Sequence, residues 1–302
     1  MTATGVRSSR LGAGAVLSAV LIWGFTNTLI KLSSQPALPF ALYRLWMGAL
    51  GLLIVLRATG RRLSWPAVRA SAPGGALLAV EITFFFSAIK RTSVADVAVI
   101  SALQPALVLL VAGPLFGERV TRREVGWSVL SLLGVLLVIA GSSGTPVWSL
   151  SGDLLAAGSL IAWTAYFLVS KHARENVPAL EYMTVVFLVA AVAVTPLALA
   201  AGQPLGGLRG LDWILLVVFV LGASGGHVLL AWAHSSVDVT VSSLLMLASP
   251  VVSAVAALLI LGEPIRPLTA AGGVVVLGSL AAILRRAATG VPELESPDLP
   301  GI

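Results

Sequence analysis

The chain has 302 residues, 58% of them hydrophobic and 11% charged, where an ordinary soluble domain carries about a quarter charged. Its apolar residues fall in runs of about 18 to 22, each long enough at 1.5 Å per residue to cross a hydrocarbon layer about 30 Å thick, so a soluble globular protein is excluded. The absence of Cys removes disulfides, thiolate metal sites and cysteine catalysis, and the net charge of +6 is loop charge that sets topology rather than a nucleic-acid signal.

Ten spans are predicted, giving an all-α integral membrane protein. The first, 12–30, carries Trp23 and Asn27, four residues apart on one helix face. The second, 38–56, carries Arg44 six residues past its start. The third, 72–89, holds Glu81 alone among apolar and small side chains. A carboxylate or guanidinium in hydrocarbon must be neutralised, paired or turned to a wet cavity, so both residues point inward, either as a structural pair or as handlers of substrate or protons. The fourth span, 94–116, contains Gln104 before Pro105, where a missing backbone hydrogen bond can loosen the helix and expose a carbonyl or, equally, simply bend it, as at Pro250. The fifth is 125–141.

The sixth, 152–170, carries Trp163 and Tyr166, amphipathic rings that can wall an organic substrate or equally pack helices. The seventh is 179–200. The eighth, 211–232, includes "GASGG" and His227, a candidate proton relay, and ends near His234, read as a solvated boundary residue. The ninth, 240–261, contains Ser249 before Pro250, and the tenth is 268–284. Asp96 and Asp238 stand near helix starts and are read as structural caps. The Pro-rich, acidic stretch 287–302 is expected to be a disordered cytoplasmic tail.

An even number of spans puts both termini on one face. Lys31, Lys90, Arg91, Arg209 and Arg266 fall on the other face and Arg44 lies within a span, which leaves thirteen of the nineteen basic residues on the termini's side. Both termini are therefore expected in the cytoplasm. The halves also repeat. Pro105, Gly117 and Glu118 match Pro250, Gly262 and Glu263 at an offset of 145, and Gly12, Trp23 and Lys31 match Gly152, Trp163 and Lys171 at 140. Five spans per half is odd, so the repeats, 12–141 and 152–285, are expected to be inverted. Glu118 and Glu263 then sit at matching helix ends on opposite faces, where pairs with nearby arginines could bias a conformational equilibrium.

With "IWGF" at 22–25, "ALYRLWMGAL" at 41–50 and a "P…GE" pair in each half, the chain resembles the drug/metabolite transporter superfamily, in its ten-helix EamA form. The resemblance implies an alternating-access secondary carrier in the plasma (cell inner) membrane, one that exports a small polar or amphipathic metabolite such as an amino acid. The second half departs from the first, with Met183 where Arg44 would repeat and Gly226 opposite Glu81. No enzymatic constellation, nucleotide loop or metal cluster is visible, so neither enzyme activity nor a cofactor is expected, and transport would draw on a proton or substrate gradient. The expected partners are a small-molecule substrate and the lipid bilayer, with no nucleic acid. A single chain is the working unit, with oligomers left open. The rival readings are a facilitative channel, a broad-specificity drug efflux carrier, and a non-transporting receptor or scaffold.

Overall fold

Backbone amides in hydrocarbon must be satisfied within their own segment, and the apolar runs answer this as helices. In the computed structural model the described residues are 3–29, 32–89, 91–92, 94–117, 121–141 and 149–289. They form α1 (Ala3–Leu29), α2 (Ala37–Ala58), α3 (Trp65–Ile89), α4 (Val94–Ser101), α5 (Gln104–Phe116), α6 (Arg122–Gly141), α7 (Leu150–Ala173), α8 (Ala179–Ala200), α9 (Gly210–Phe219), α10 (Gly225–Ala233), α11 (Val239–Leu245), α12 (Ser249–Leu261) and α13 (Pro267–Thr289).

Three rods are interrupted, so thirteen segments make about ten rods. A five-residue π turn, Val220–Ser224, joins α9 to α10. A 3₁₀ turn, Met246–Ala248, joins α11 to α12, and a shorter break at residues 102–103 separates α4 from α5. The last two breaks are equivalent, because α5 opens on Gln104-Pro105 and α12 on Ser249-Pro250, where proline cannot donate to the preceding turn. By length and composition, eight stretches can cross a membrane, while Leu11–Thr26 and Val125–Gly141 are apolar but shorter. The sequence expectation of ten full spans is therefore met as about ten helices, eight of them clearly of spanning length.

The third helix begins seven residues before its apolar run. Ser64 Oγ accepts from the Ala67 amide at 3.3 Å and Pro66 sits in the first turn, so the helix is nucleated ahead of the apolar segment. At the other end of the chain, α13 continues to Thr289 and thus into the stretch expected to be disordered; the remainder of that tail lies outside the described residues.

The packing survives exchange of the halves. α1 packs on α10, α11 and α12, while α7 packs on their counterparts α3, α4 and α5. Gly12 of α1 lies so close to Val237 that a Cβ would collide with it. Gly152 of α7, 140 residues on, abuts Thr92, where a Cβ would come within 2.7 Å of the threonine Cβ. Thr92 and Val237 are themselves 145 apart. α6 and α13 run antiparallel, Gly134 against Val276 and Gly141 against Thr269, and only glycine lets these backbones approach so closely. Gly117 and Gly262 end α5 and α12 with φ of 65° and 68°, the left-handed cap that glycine adopts without penalty.

Candidate functional site

Where the two halves meet, a cavity of about 810 Å³ is lined by residues of α1, the α1–α2 loop, α2, α3, α4, α5, α7, the π turn, α10, α11, the 3₁₀ turn and α12. Trp23, Arg44, Glu81, Gln104, Trp163 and His227 all face it, as do Pro105 and Pro250 of the two helix breaks. Tyr166 does not reach the cavity. It lies behind the wall, buried, with its hydroxyl 3.4 Å from His227 Nδ1 and 3.8 Å from Met183 Sδ. The side chain of Asn27, all of Glu118 and the side chain of Asp96 lie outside the described residues. Glu263 is exposed beyond α12 and away from the cavity.

Aromatic rings converge at the inner end of the cavity. Trp23 and Trp163, matched in the two halves, meet edge to face at 6.0 Å between centroids. The His227 ring stands 4.9 Å from Trp23, 5.9 Å from Trp163, 6.1 Å from Tyr166 and 5.8 Å from Phe187. Trp23 Nε1 donates to the Ala223 carbonyl at 2.9 Å. That carbonyl belongs to the π turn, whose altered register presents backbone acceptors to a side chain. Gly226, one turn later, leaves the space that the Trp23 indole fills.

The two charges of the cavity come from the first half. Glu81 Oε1 accepts from Ser159 Oγ at 3.4 Å. The Arg44 guanidinium carbon lies 5.6 Å from the centroid of Phe219, a cation–π distance, and its buried Nε has no hydrogen-bond partner. Among the described residues no Arg44–Glu81 ion pair forms within 4.0 Å. The cavity thus holds one cation and one anion that do not neutralise each other by contact. Gln104 adds a buried amide, its Nε2 also without a partner.

Sequence reasoning missed several polar wall residues: Ser101, Ser159, Ser243 and Ser253, with Ser33, Ser34 and Gln35 of the α1–α2 loop at the mouth. Isolated serines carry little signal in an apolar helix, since they equally bond back to their own backbone. It also missed Asp212, which anchors that loop.

The opposite end of the bundle is filled. Lys171 Nζ donates to the Val237 carbonyl at 2.7 Å and Arg174 Nε to the Ala231 carbonyl at 2.7 Å. His234, expected at a solvated boundary, is buried instead. Its ring packs 4.5 Å from Phe167, and its Nδ1 is 3.1 Å from Ser170 Oγ, because α7 covers the end of α10. Burial, then the nearby charges of Lys171 and Arg174, lower its pKa to about 3. Asp238 stands at the N-cap of α11 without a side-chain capping bond. Among the described residues no group of three His, Cys, Asp or Glu could hold a metal ion.

About ten apolar helices around a half-buried cavity with unpaired charges define a multi-pass membrane transport protein. The chain belongs to the EamA-like transporter family, whose description matches it twice, over residues 10–140 and 150–285. It is 26% identical over 281 residues to the pseudopaline exporter CntI of Pseudomonas aeruginosa, covering 91% of this chain and 97% of the exporter. It is 28% identical over 218 residues to the aromatic amino acid exporter YddG of Ancylobacter novellus, covering 69% and 74%. A solved crystal structure, 21% identical, superposes with a TM-score of 0.80 over 93% of this chain and 99% of that one, a likeness of fold.

Proposed function

We propose that the chain is a secondary carrier exporting a small amphipathic metabolite such as an amino acid from the cell, by alternating exposure of the central cavity. The observation that carries this reading is that Arg44 and Glu81 face one aromatic-walled cavity between the halves without forming a contact ion pair. Charges held in a membrane without a mutual ion pair are costly unless a ligand or water meets them. Arg44 suits a carboxylate and Glu81 an ammonium group, while Trp163, Phe85 and Phe86 offer an apolar wall to the rest of the molecule. The name of one of these relatives, an aromatic amino acid exporter, agrees with an amino-acid-like cargo.

Residues 12–141 and 152–285 act in this reading as two inverted five-helix repeats, with both termini cytoplasmic in the plasma membrane. The helix breaks at Gln104-Pro105 and Ser249-Pro250 allow α4 and α11 to tilt separately from α5 and α12. The cavity then opens in turn toward the α1–α2 loop and toward the end now filled by His234 and Phe167. Uptake by sealed proteoliposomes tests the mechanism with radiolabelled phenylalanine as first probe, followed by a metabolite panel. A carrier saturates and shows faster exchange when substrate is present on the opposite side. Non-saturating flux of a transported compound, faster than a conformational cycle, would establish a channel instead.

A further inference from the structure

We infer that Asp212 is a positioning residue for the transport cavity: by latching the α1–α2 loop onto α9 it sets where the Arg44 guanidinium stands. Asp212 lies in the first turn of α9 and is 2% exposed. Its carboxylate accepts from Ser33 Oγ at 3.0 Å, the Ser34 amide at 3.1 Å, Ser34 Oγ at 2.9 Å, Gln35 Nε2 at 3.4 Å and the Arg209 amide at 3.1 Å. Four of these five donors belong to the loop that forms the cavity mouth and runs directly into α2. Gln35 Nε2 also reaches the Gly207 carbonyl at 3.3 Å, and Tyr43 donates to the Leu205 carbonyl, so the start of α2 is tied to the approach to α9 as well.

From this anchor two helix faces run side by side. Along α9, Asp212, Leu216 and Phe219 are buried at helical spacing. Along the start of α2, Pro36, Phe40 and Arg44 recur every four residues and all line the cavity. Phe40 meets Phe219 edge to face at 5.2 Å, and Arg44 lies 5.6 Å from the same ring. Among the described residues Arg44 forms no ion pair, and its Nε has no hydrogen-bond partner to hold it. Its place therefore depends on the register of α2 against α9, and the Asp212 bonds fix that register at the end where the chain would otherwise be loose. Asparagine at position 212 would keep one acceptor oxygen but turn an NH₂ toward the loop donors, breaking about half of the set.

The inference rests on the cavity being the transport site, but its test needs no substrate. Because the chain has no cysteine, Ser249→Cys puts a single thiol on the cavity wall. Its reaction rates with an anionic and a cationic methanethiosulfonate of equal size are measured on purified protein in nanodiscs. The ratio of the two rates reads the local potential, whereas a mouth that is merely looser raises both rates together. Adding Arg44→Gln sets the ratio without the guanidinium, a fall of about fivefold for a unit charge nearby in a partly wet cavity. Asp212→Asn, although the loss of its own negative charge would raise the ratio, should carry it most of the way down to that value with Arg44 intact. An unchanged ratio, with or without a common rise in both rates, overturns the inference. If Asp212→Asn does not fold, Ser34→Ala removes only the 2.9 Å bond and should give a smaller fall; an unchanged ratio there also overturns it. A chain that transports nothing would still give the shifted ratio, so failure of the carrier reading is seen separately.

Discussion

Replacing Gly226 by Ala tests whether the Trp23 indole is seated where the cavity requires it. A Cβ at 226 would stand 2.6 Å from Trp23 Nε1, 2.9 Å from Cε2 and 3.1 Å from Cδ1. These contacts fall about 0.5 to 1 Å inside van der Waals separation, so the ring must move. Moving it breaks the 2.9 Å bond to the Ala223 carbonyl and disturbs the 4.9 Å contact with His227. Overpacking costs about 1–3 kcal/mol and the stranded carbonyl about 1 kcal/mol more, or about 2–4 kcal/mol together. Thermal unfolding in detergent should show this loss, and transport should fall with it because the ring is displaced at the cavity wall. Trp23→Phe takes away the colliding indole nitrogen and should recover part of the stability when combined with Gly226→Ala, though not when introduced alone. Full stability and activity in Gly226→Ala, or strict additivity in the double variant, would refute the packing argument.

Glu81→Gln keeps the size and the Ser159 contact but removes the charge. It should lower transport by about tenfold, the scale of one charge-assisted hydrogen bond, and flatten any pH dependence of initial rates in proteoliposomes; wild-type rates at every pH would remove Glu81 from the transport reaction. Gly117→Ala and Gly262→Ala should each cost about 1 kcal/mol in thermal stability, because both caps have positive φ, and a marked inequality would argue against equivalent caps in the two halves. With the folded pKa of His234 near 3 and its ordinary value 6.5, the unfolded chain takes up a proton first as pH falls. Stability should therefore decline progressively below about pH 6.5, and His234→Gln should reduce that decline. Parallel pH profiles for wild type and variant in calorimetry would show that His234 does not contribute.

The helices were legible because one physical requirement, the satisfaction of backbone amides in lipid, imposes long apolar runs that any reading detects. The helix breaks were legible at Gln104-Pro105 and Ser249-Pro250, where proline marks them. The π turn at Val220–Ser224 was not, because "VLGAS" carries no residue whose chemistry requires a widened turn; the donor that meets its Ala223 carbonyl is the Trp23 indole, 200 residues away in sequence. The early start of α3 was written in Ser64 and Pro66, but the apolar run beginning later drew the boundary inward. His234 was misplaced for the same reason that Asp212 was passed over. Both stand at the end of an apolar segment, where a polar residue ordinarily meets water, and only the packing of α7 on one and the α1–α2 loop on the other takes that water away.

The departure of the second repeat from the first has a physical reason at this interface. Under the repeat offset, Gly226 occupies the place of Glu81, and Trp23 that of Trp163. The contact between Gly226 and Trp23 therefore corresponds to the neighbourhood of Glu81 and Trp163, both of which face the cavity. A carboxylate at 226 would collide with the Trp23 indole and add a second charge to be desolvated, whereas glycine lets the ring settle against the π turn. On the other side, Glu81 and Trp163 both line the cavity. One glycine and one glutamate at equivalent positions thus make the two walls unlike, with an indole seated on backbone on one side and a carboxylate facing the cavity on the other.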